Sequence, residues 1–469
     1  MEMPWSNTDL MVGFDEEFDA IVDFARASRV DGGFGYLDAD GVVDPTRPIE
    51  LWITCRMTHV FAMAALKGDD SAREFVEHGV ASLLGPLHDD EHGGWYSAIT
   101  PDTHEVALDK KEAYAHAFVV LAATSALAAG IPQANELLDE ALRVEERYWW
   151  EPEFGRVCES WDLAFTRKED YRGINANMHT TECFLSAWDA TGDRKWLDRA
   201  RGIIRFVYDQ ASQHEWRIPE HFSANWRIIP DYNRDEPAHP FRPFGVTPGH
   251  GLEWARLFVQ AHAALAQEGE PGDDIAWMTE GAVRLFERAV ADGWDVDGAP
   301  GFVYTTDFEG TPVVRERMHW VMCEAISAAV AIAPFLSEHP AGKSHAGNDK
   351  GGARSQNDLR GEGDLRDESA PTITTRSLQE LYAQWVAYVD EYLREAPGRW
   401  YHELTPDNAP GTRTWPGKPD AYHVAQMLIF ARLPLTPTFA SAIKDGLLAP
   451  LDRCLFCGGD AQRLPRLRC

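Results

Sequence analysis

Four stretches of the chain carry an apolar residue every three or four positions. They are 49–66 (IELWITCRMTHVFAMAAL), 112–129 (EAYAHAFVVLAATSALAA), 177–191 (NMHTTECFLSAWDAT) and 376–393 (RSLQELYAQWVAYVDEYL). This period gathers the apolar side chains on one side of a helix, so each stretch predicts an α-helix. Between the helical stretches lie short segments rich in aromatics and glycine: GGFGYLD (32–38), GGWYSAI (93–99), FGRVCESWD (154–162), EWRIPEHF (215–222), GFVYTTDFEG (301–310) and GRWYHELT (398–405). With Phe34, Trp95, Arg156, Trp216, Phe302 and Trp400 as markers, the spacings are 61, 61, 60, 86 and 98 residues. The fourth spacing contains a proline-rich stretch. The fifth contains 339–371, which is polar, glycine-rich and aperiodic, and is expected to be a disordered surface loop. Without it the fifth spacing falls to about 65.

A unit of about 60 residues, two helices and a turn, occurring six times predicts an all-α (α/α)6 barrel of six helical hairpins. A non-repeating helical protein with evenly spaced turns is the plainer alternative. The barrel is expected to span 1–450 as a single domain, followed by a cysteine-containing tail at 451–469. Inner helices of such a barrel leave a pocket at one end, and the aromatic turn segments are expected to line its mouth. Aromatic faces beside carboxylates, arginines and histidines suit a sugar, whose C–H faces stack while its hydroxyls need hydrogen bonds.

Composition narrows the partners. The 469 residues are 44% hydrophobic and include 17 tryptophans, enough for a large core. The net charge of −31 would repel nucleic acid and anionic membranes, so neither is expected as a partner. Only nine of the 44 basic residues are lysine, and dispersed acid with little lysine is the surface expected of a salt-adapted protein. The N-terminus has no basic stretch followed by an apolar run, and no stretch reaches 18 uninterrupted apolar residues, so neither a secretory signal nor a membrane span is expected. Cys55, Cys158, Cys183 and Cys323 sit inside apolar patterns and read as reduced core residues of a cytoplasmic protein. Cys454, Cys457 and Cys469 look like half a zinc site, a weak signal.

The informative residues are polar ones inside apolar helical runs, because burying them needs a reason. Arg56 lies in LWITCRM beside Trp52. Asn175, Asn177, His179 and Glu182 stand together in NANMHTTE. Arg317, Trp320 and Glu324 fall on one face of RERMHWVMCE, and His423 follows the turn WPGKPDAYH. In FRPFGVTPGHGLEWARL (241–257), two prolines and two glycines lead into His250, with Glu253 one turn on. A helix N-terminus disfavours a cationic ring, leaving a neutral imidazole that can act as a base. Glu253 is expected to orient that ring or hold a substrate hydroxyl. Two histidines delivered by rigid turns form the kind of pair that proton transfer uses. The plainer alternatives are an ion pair of Arg56 with Glu50 or Glu324, and a capping role for His250. His179 with Glu182 and His250 with Glu253 also put ligand types for a divalent ion on helical faces, but neither forms His-Glu-x-x-His and no third cluster completes them. No metal is expected.

LWITCRM, GGWY, YRGINANMH, HPFRPFGVTPGHGLEWARL, RERMHWVMCEA and GKPDAYH, in this order, resemble the N-acylglucosamine 2-epimerase superfamily, and within it the aldose–ketose isomerase branch of mannose and sulfoquinovose isomerases. The resemblance covers roughly residues 3–335 and 373–450. It implies an (α/α)6 barrel, no metal or other cofactor, and proton transfer between C2 and C1 of a hexose through a cis-enediol. By resemblance His423 moves the carbon-bound proton, while His250 opens the pyranose ring and shuttles the hydroxyl proton. Arg56, His179, Arg242, Glu253, Trp320 and Glu324 match sugar-binding positions, and Trp52, Asn175 and Asp420, in the same motifs, complete the candidate set. An enediolate needs a nearby cation, which Arg56 or Arg242 is expected to supply. The 339–371 insertion and the tail depart from the family pattern. So does Pro419, where sulfoquinovose-isomerising relatives are expected to carry glutamine. D-mannose to D-fructose is therefore the expected reaction, with D-lyxose to D-xylulose beside it. Sulfoquinovose isomerisation and 2-epimerisation are the alternatives within the family. Outside it stand an inactive sugar-binding barrel and a glycoside hydrolase using two of Glu182, Glu253 and Glu324.

Overall fold

The coordinates form a computed structural model that describes residues 4–336, 373–436 and 438–451. The expected 339–371 loop and the Cys454, Cys457 and Cys469 tail lie outside the described residues. Twelve helices alternate between two rings. The outer ring comprises α1 (Thr8–Ala25), α3 (Arg73–Leu83), α5 (Ala134–Val144), α7 (Arg194–Gln213), α9 (Gly272–Gly293) and α11 (Thr375–Tyr388). The inner ring comprises α2 (Leu51–Lys67), α4 (Ala113–Ala128), α6 (Ile174–Thr191), α8 (Pro248–Gln267), α10 (His319–Ile332) and α12 (Tyr422–Phe430). Each inner helix packs against the next, and α12 returns to α2. The outer helices α3, α5, α7, α9 and α11 lie on the inner helices that precede them, while α1 lies on α12. A short α13 (Phe439–Lys444) packs against α2 and α4. The six-hairpin barrel expected from the repeat is the observed fold.

Sequence separates the two rings. In α4 every residue from Ala115 to Ala126 is buried, and in α10 every residue from Val321 to Ile332. A helix apolar all round must be covered all round, and only the inner ring offers that. In α7, by contrast, Trp196, Leu197, Ala200, Ile203, Ile204, Val207 and Ala211 are buried, one stripe at helical spacing. Thr247 precedes α8 in extended conformation and Pro248 opens it, so the proline-glycine approach to His250 does fix a helix start. Left-handed glycines, Gly68 after α2 and Gly192 after α6, end two of the inner helices.

The connections are stitched into a belt. The residues leading into α2, Ile49–Glu50, pair antiparallel with Ala98–Ile99 of the next repeat. In the same way Lys110–Glu112 pairs with Ser160–Asp162, Tyr171–Gly173 with His221–Ser223, Val246 with Thr306, and Arg317–Met318 with Glu403–Leu404. In the sixth join the Lys418 N–H donates to the Leu37 carbonyl at 2.9 Å, and the Lys418 ammonium donates to the Ala39 carbonyl at 2.6 Å. Inner helices therefore begin from a closed rim. The aromatic turn segments line the cavity only in part: Tyr304 of 301–310 and His402 of 398–405 reach its wall, while the aromatic markers do not. Phe34, Trp95, Phe302 and Trp400 are core residues, because they fill the space beneath the hairpins that join outer to inner helices. The four cysteines of the apolar runs are buried and free. Among the described residues no helix is long and apolar enough to cross a membrane.

Candidate active site

All six inner helices point their N-terminal turns at one cavity of about 630 Å³, open at its mouth. Trp52 and Arg56 come from α2, Tyr114 from α4, Asn175 and His179 from α6, His250 and Glu253 from α8, His319 and Trp320 from α10, and His423 from α12. Each helix N-terminus carries about half a positive charge, so their convergence favours negative charge developing inside. Pro240, Phe241, Pro243, Tyr304, His402, Trp415, Pro419 and Asp420 complete the wall.

Two imidazoles are held alike. His250 Nδ1 lies 2.9 and 3.0 Å from the two carboxylate oxygens of Glu220, and His423 Nδ1 lies 2.9 Å from Glu324 Oε1. A carboxylate at Nδ1 assigns the proton to that nitrogen and leaves Nε2 with its lone pair. The Trp320 ring sits against both, with centroids 5.5 Å from His250 and 5.7 Å from His423. Burial is the main cause of a lowered proton affinity at His423. Arg56 adds to it, while Glu324 and Asp420 oppose it. The ring is thus neutral near pH 7 and able to accept a proton.

Arg56 donates to Asp420 Oδ2 at 3.0 Å, and its guanidinium lies over the rings of Phe118, Tyr422 and Trp52 at 4.4, 4.5 and 5.1 Å. Its Nε is buried without a hydrogen-bond partner among the described residues. Its ion-pair partner is thus Asp420, neither Glu50 nor Glu324. Beneath the cavity three carboxyl groups surround one guanidinium. Arg256 Nε donates to Glu324 at 2.8 Å, Nη2 to Glu253 at 3.4 Å, and Nη1 stands 3.9 Å from Glu182. Burial and the like charges of Glu324 and Glu182 push Glu253 well above the usual carboxylate range, so it is the member that carries a proton. Glu182 is instead held ionised, against burial, by His179, by Arg256 and by the Tyr422 hydroxyl that donates to it. Burial lowers His179 to about 4, leaving it neutral.

Several expected assignments change. Glu253 does not orient His250; Glu220 does, because the 215–222 segment pairs across to the lead-in of α6 and reaches the ring first. Glu253 faces His179 at 3.9 Å and remains in the cavity wall. Glu324 stands behind His423 rather than in the wall. Arg242 is turned away from the cavity into a two-pronged pair with Glu169 at 2.8 and 2.9 Å, with Glu159 at 3.5 Å. Arg317 lies on the strand before α10 and pairs with Asp297, and Asn177 holds the backbone of Val157 and Gly173. The two separate histidine–glutamate pairs do not exist as such. The donor atoms of His179, Glu182 and Glu253 fall within 4.8 Å of one another, and the cation among the carboxylates is Arg256. Trp52, Arg56, Asn175, His179, His250, Glu253, Trp320, Asp420 and His423 all share the cavity. Sequence reasoning passed over Glu220, which hides in a turn segment, and Arg256, an arginine one turn beyond Glu253 in an apolar helix.

The model of the N-acylglucosamine 2-epimerase (GlcNAc 2-epimerase) family matches residues 32–343 and 369–427. A D-mannose isomerase of Thermobifida fusca is 46% identical over 433 residues, 92% of this chain and 96% of that relative. A D-mannose isomerase of Pseudomonas cannabina pv. alisalensis is 40% identical over 429 residues, 90% of this chain and 92% of the relative. A crystal structure of a D-mannose isomerase superposes with a TM-score of 0.73 at 23% identity, covering 89% of this chain and 97% of that one, which shows the shared fold. With the family's motifs falling around a single cavity of the barrel, the chain belongs to the N-acylglucosamine 2-epimerase family.

Proposed function

We propose that the protein is a sugar isomerase interconverting D-mannose and D-fructose through a cis-enediol, with D-lyxose and D-xylulose as a second pair. The observation that carries this reading is two imidazoles, each backed at Nδ1 by a carboxylate, against one tryptophan in one cavity. His250 takes the anomeric O1 proton and delivers it to the ring oxygen as the bond between C1 and that oxygen breaks, which opens the pyranose to the aldehyde. His423 Nε2 then removes the proton from C2 while the electron pair shifts onto the C1 carbonyl oxygen, giving an enediolate whose O1 receives the O2 proton by way of His250. Returning the carbon-bound proton to C1 as the carbonyl forms at C2 yields the ketose. Arg56 and the helix N-termini offset the negative charge that develops on oxygen.

A sulfonated or phosphorylated sugar fits less well. Of the described residues lining the cavity Arg56 is the only lysine or arginine, and Asp420 already pairs with it. Pro419 offers no side-chain donor there. The test is proton NMR of the purified protein with D-mannose in heavy water, with and without chelator. Fructose carrying deuterium at C1, unaffected by chelator and lost in His423→Ala, is expected. Glucose without ketose would indicate a 2-epimerase instead, and turnover of sulfoquinovose alone would overturn the neutral-sugar assignment.

A further inference from the structure

The isomerase reading uses His423 as a base and leaves the buried arginine beneath it without a task. Five hydrogen bonds run through that arginine and its neighbours between the two ends of the barrel. On the floor side, Gln260 Nε2 donates to the Thr436 carbonyl at 2.7 Å, and Arg256 Nη1 donates to Gln260 Oε1 at 2.9 Å. On the cavity side, Arg256 Nε donates to Glu324 Oε2 at 2.8 Å, and Nη2 approaches Oε1 at 3.3 Å. Glu324 Oε1 then receives the Nδ1 proton of His423. Arg256 and Gln260 belong to α8, Glu324 to α10 and His423 to α12, so the relay crosses three inner helices.

We infer that Arg256 is a positioning residue for the reaction: its two-pronged hold on Glu324 fixes the carboxylate that orients His423 toward the sugar, and Gln260 anchors that hold to the chain segment after α12. The inference rests on the proposed isomerase activity and adds a residue to it.

The geometry supports the role in three ways. A planar guanidinium bonded through Nε and Nη2 fixes the plane of Glu324 as well as its position, which a single ammonium cannot do. The opposite edge of the guanidinium is tied to Gln260, so Arg256 itself has little freedom. Its positive charge also draws on the charge of Glu324, which would otherwise strengthen the grip of His423 on a second proton. The other titratable groups facing His423 are Arg56 from α2, Asp420 from the loop before α12, His319 from α10, His402 from the last hairpin and His179 from α6. None of these is hydrogen-bonded to Arg256, although Glu182, which Arg256 helps to keep ionised, stands 3.6 Å from His179.

Arg256→Lys keeps one positive charge in the buried cluster and removes the fork, which makes it the variant of choice. The expected result with D-mannose is a fall in kcat of tenfold or more, with KM within about threefold of the wild type. The acid limb of the kcat/KM profile is expected to move to higher pH, because Glu324 is less well neutralised and His423 stays protonated longer. Arg217→Lys serves as the control for a merely structural arginine: Arg217 is buried on Asp292 and Glu215 away from the cavity, and its loss should lower the melting temperature with the pH profile unmoved. An unmoved acid limb in Arg256→Lys, or a loss carried by KM alone, overturns the inference. A direct measurement on the wild type covers the case in which Arg256→Lys does not fold. Nitrogen-15 NMR, with His423 identified by the signal lost in His423→Gln, should show a proton on Nδ1 and a bare Nε2. The opposite tautomer also overturns the inference. A wild type that leaves mannose unchanged would instead fail the isomerase reading itself, a separate outcome.

Discussion

Glu145 follows the last turn of α5 with both carboxylate oxygens buried and without a hydrogen-bond partner among the described residues. Burial raises it to about 8, with Arg199 pulling the other way. A raised value in the folded state means that the fold favours the protonated carboxyl. The contribution to stability is complete below the ordinary glutamate range near 4.5 and is lost as pH rises toward 8, by about a few kcal/mol in all. Glu145→Met is therefore expected to raise the melting temperature more at pH 9 than at pH 5, measured by calorimetry. Equal gains at the two pH values would show that Glu145 is solvated or paired. At this scale the sequence made some residues legible and hid others. His250 and His423 stood out because each follows a proline-glycine turn, a purely local signal. Glu220 and Asp420 act through partners 30 and 364 residues away, and no local pattern encodes such a pairing.

Among the elements, the segment 230–246 runs across the cavity and delivers Pro240, Phe241 and Pro243 to its wall. It is pinned at several points. The Tyr304 hydroxyl donates to the Pro240 carbonyl, Asn233 to the Arg242 carbonyl, and His221 to the Pro243 carbonyl, while the Arg242 side chain grips Glu169. Arg242 thereby holds the strap, although the motif order had suggested a sugar contact. Arg242→Met is expected to raise KM for mannose roughly three- to tenfold, with kcat changed less, because the wall must be reordered when sugar binds. Limited proteolysis should cut 230–246 sooner in the variant. A collapse of kcat at constant KM would restore Arg242 to the chemistry. The helices themselves were legible from periodicity, and the spacing of the turns gave the number of hairpins. Which way the aromatic markers faced was not legible, since core and pocket both favour aromatics.

For the whole molecule, a net charge of −31 acts on every conformation but most on the compact one, where the charges are closest. Added salt screens repulsion between charges more than a Debye length apart, about 10 Å at about 0.1 M and shorter at higher salt. The melting temperature is therefore expected to rise by several degrees between about 0.1 and about 2 M KCl, followed by circular dichroism, with most of the gain at the low end. A fall over that range would show that attractive surface pairs outweigh the net repulsion. The belt of strand pairs gives the barrel a second closure besides helix packing. Its sixth join, with one backbone bond between Lys418 and Leu37 and side-chain bonds from Lys418 and Tyr36, lies just before Asp420 and His423.

The burial of His423, only 6% exposed against Trp320 and Glu324, has a consequence for isotopes. A base that has taken a proton from C2 and has little surface open to solvent exchanges it slowly, so the enediol can take it back. Part of the hydrogen leaving C2 then reappears at C1 of the same molecule, and the rest is washed out. The ratio of carried to washed-out label, read from C2-deuterated mannose turned over in ordinary water, becomes a clock. It compares the lifetime of the enediol with the time a solvent proton needs to reach the imidazole.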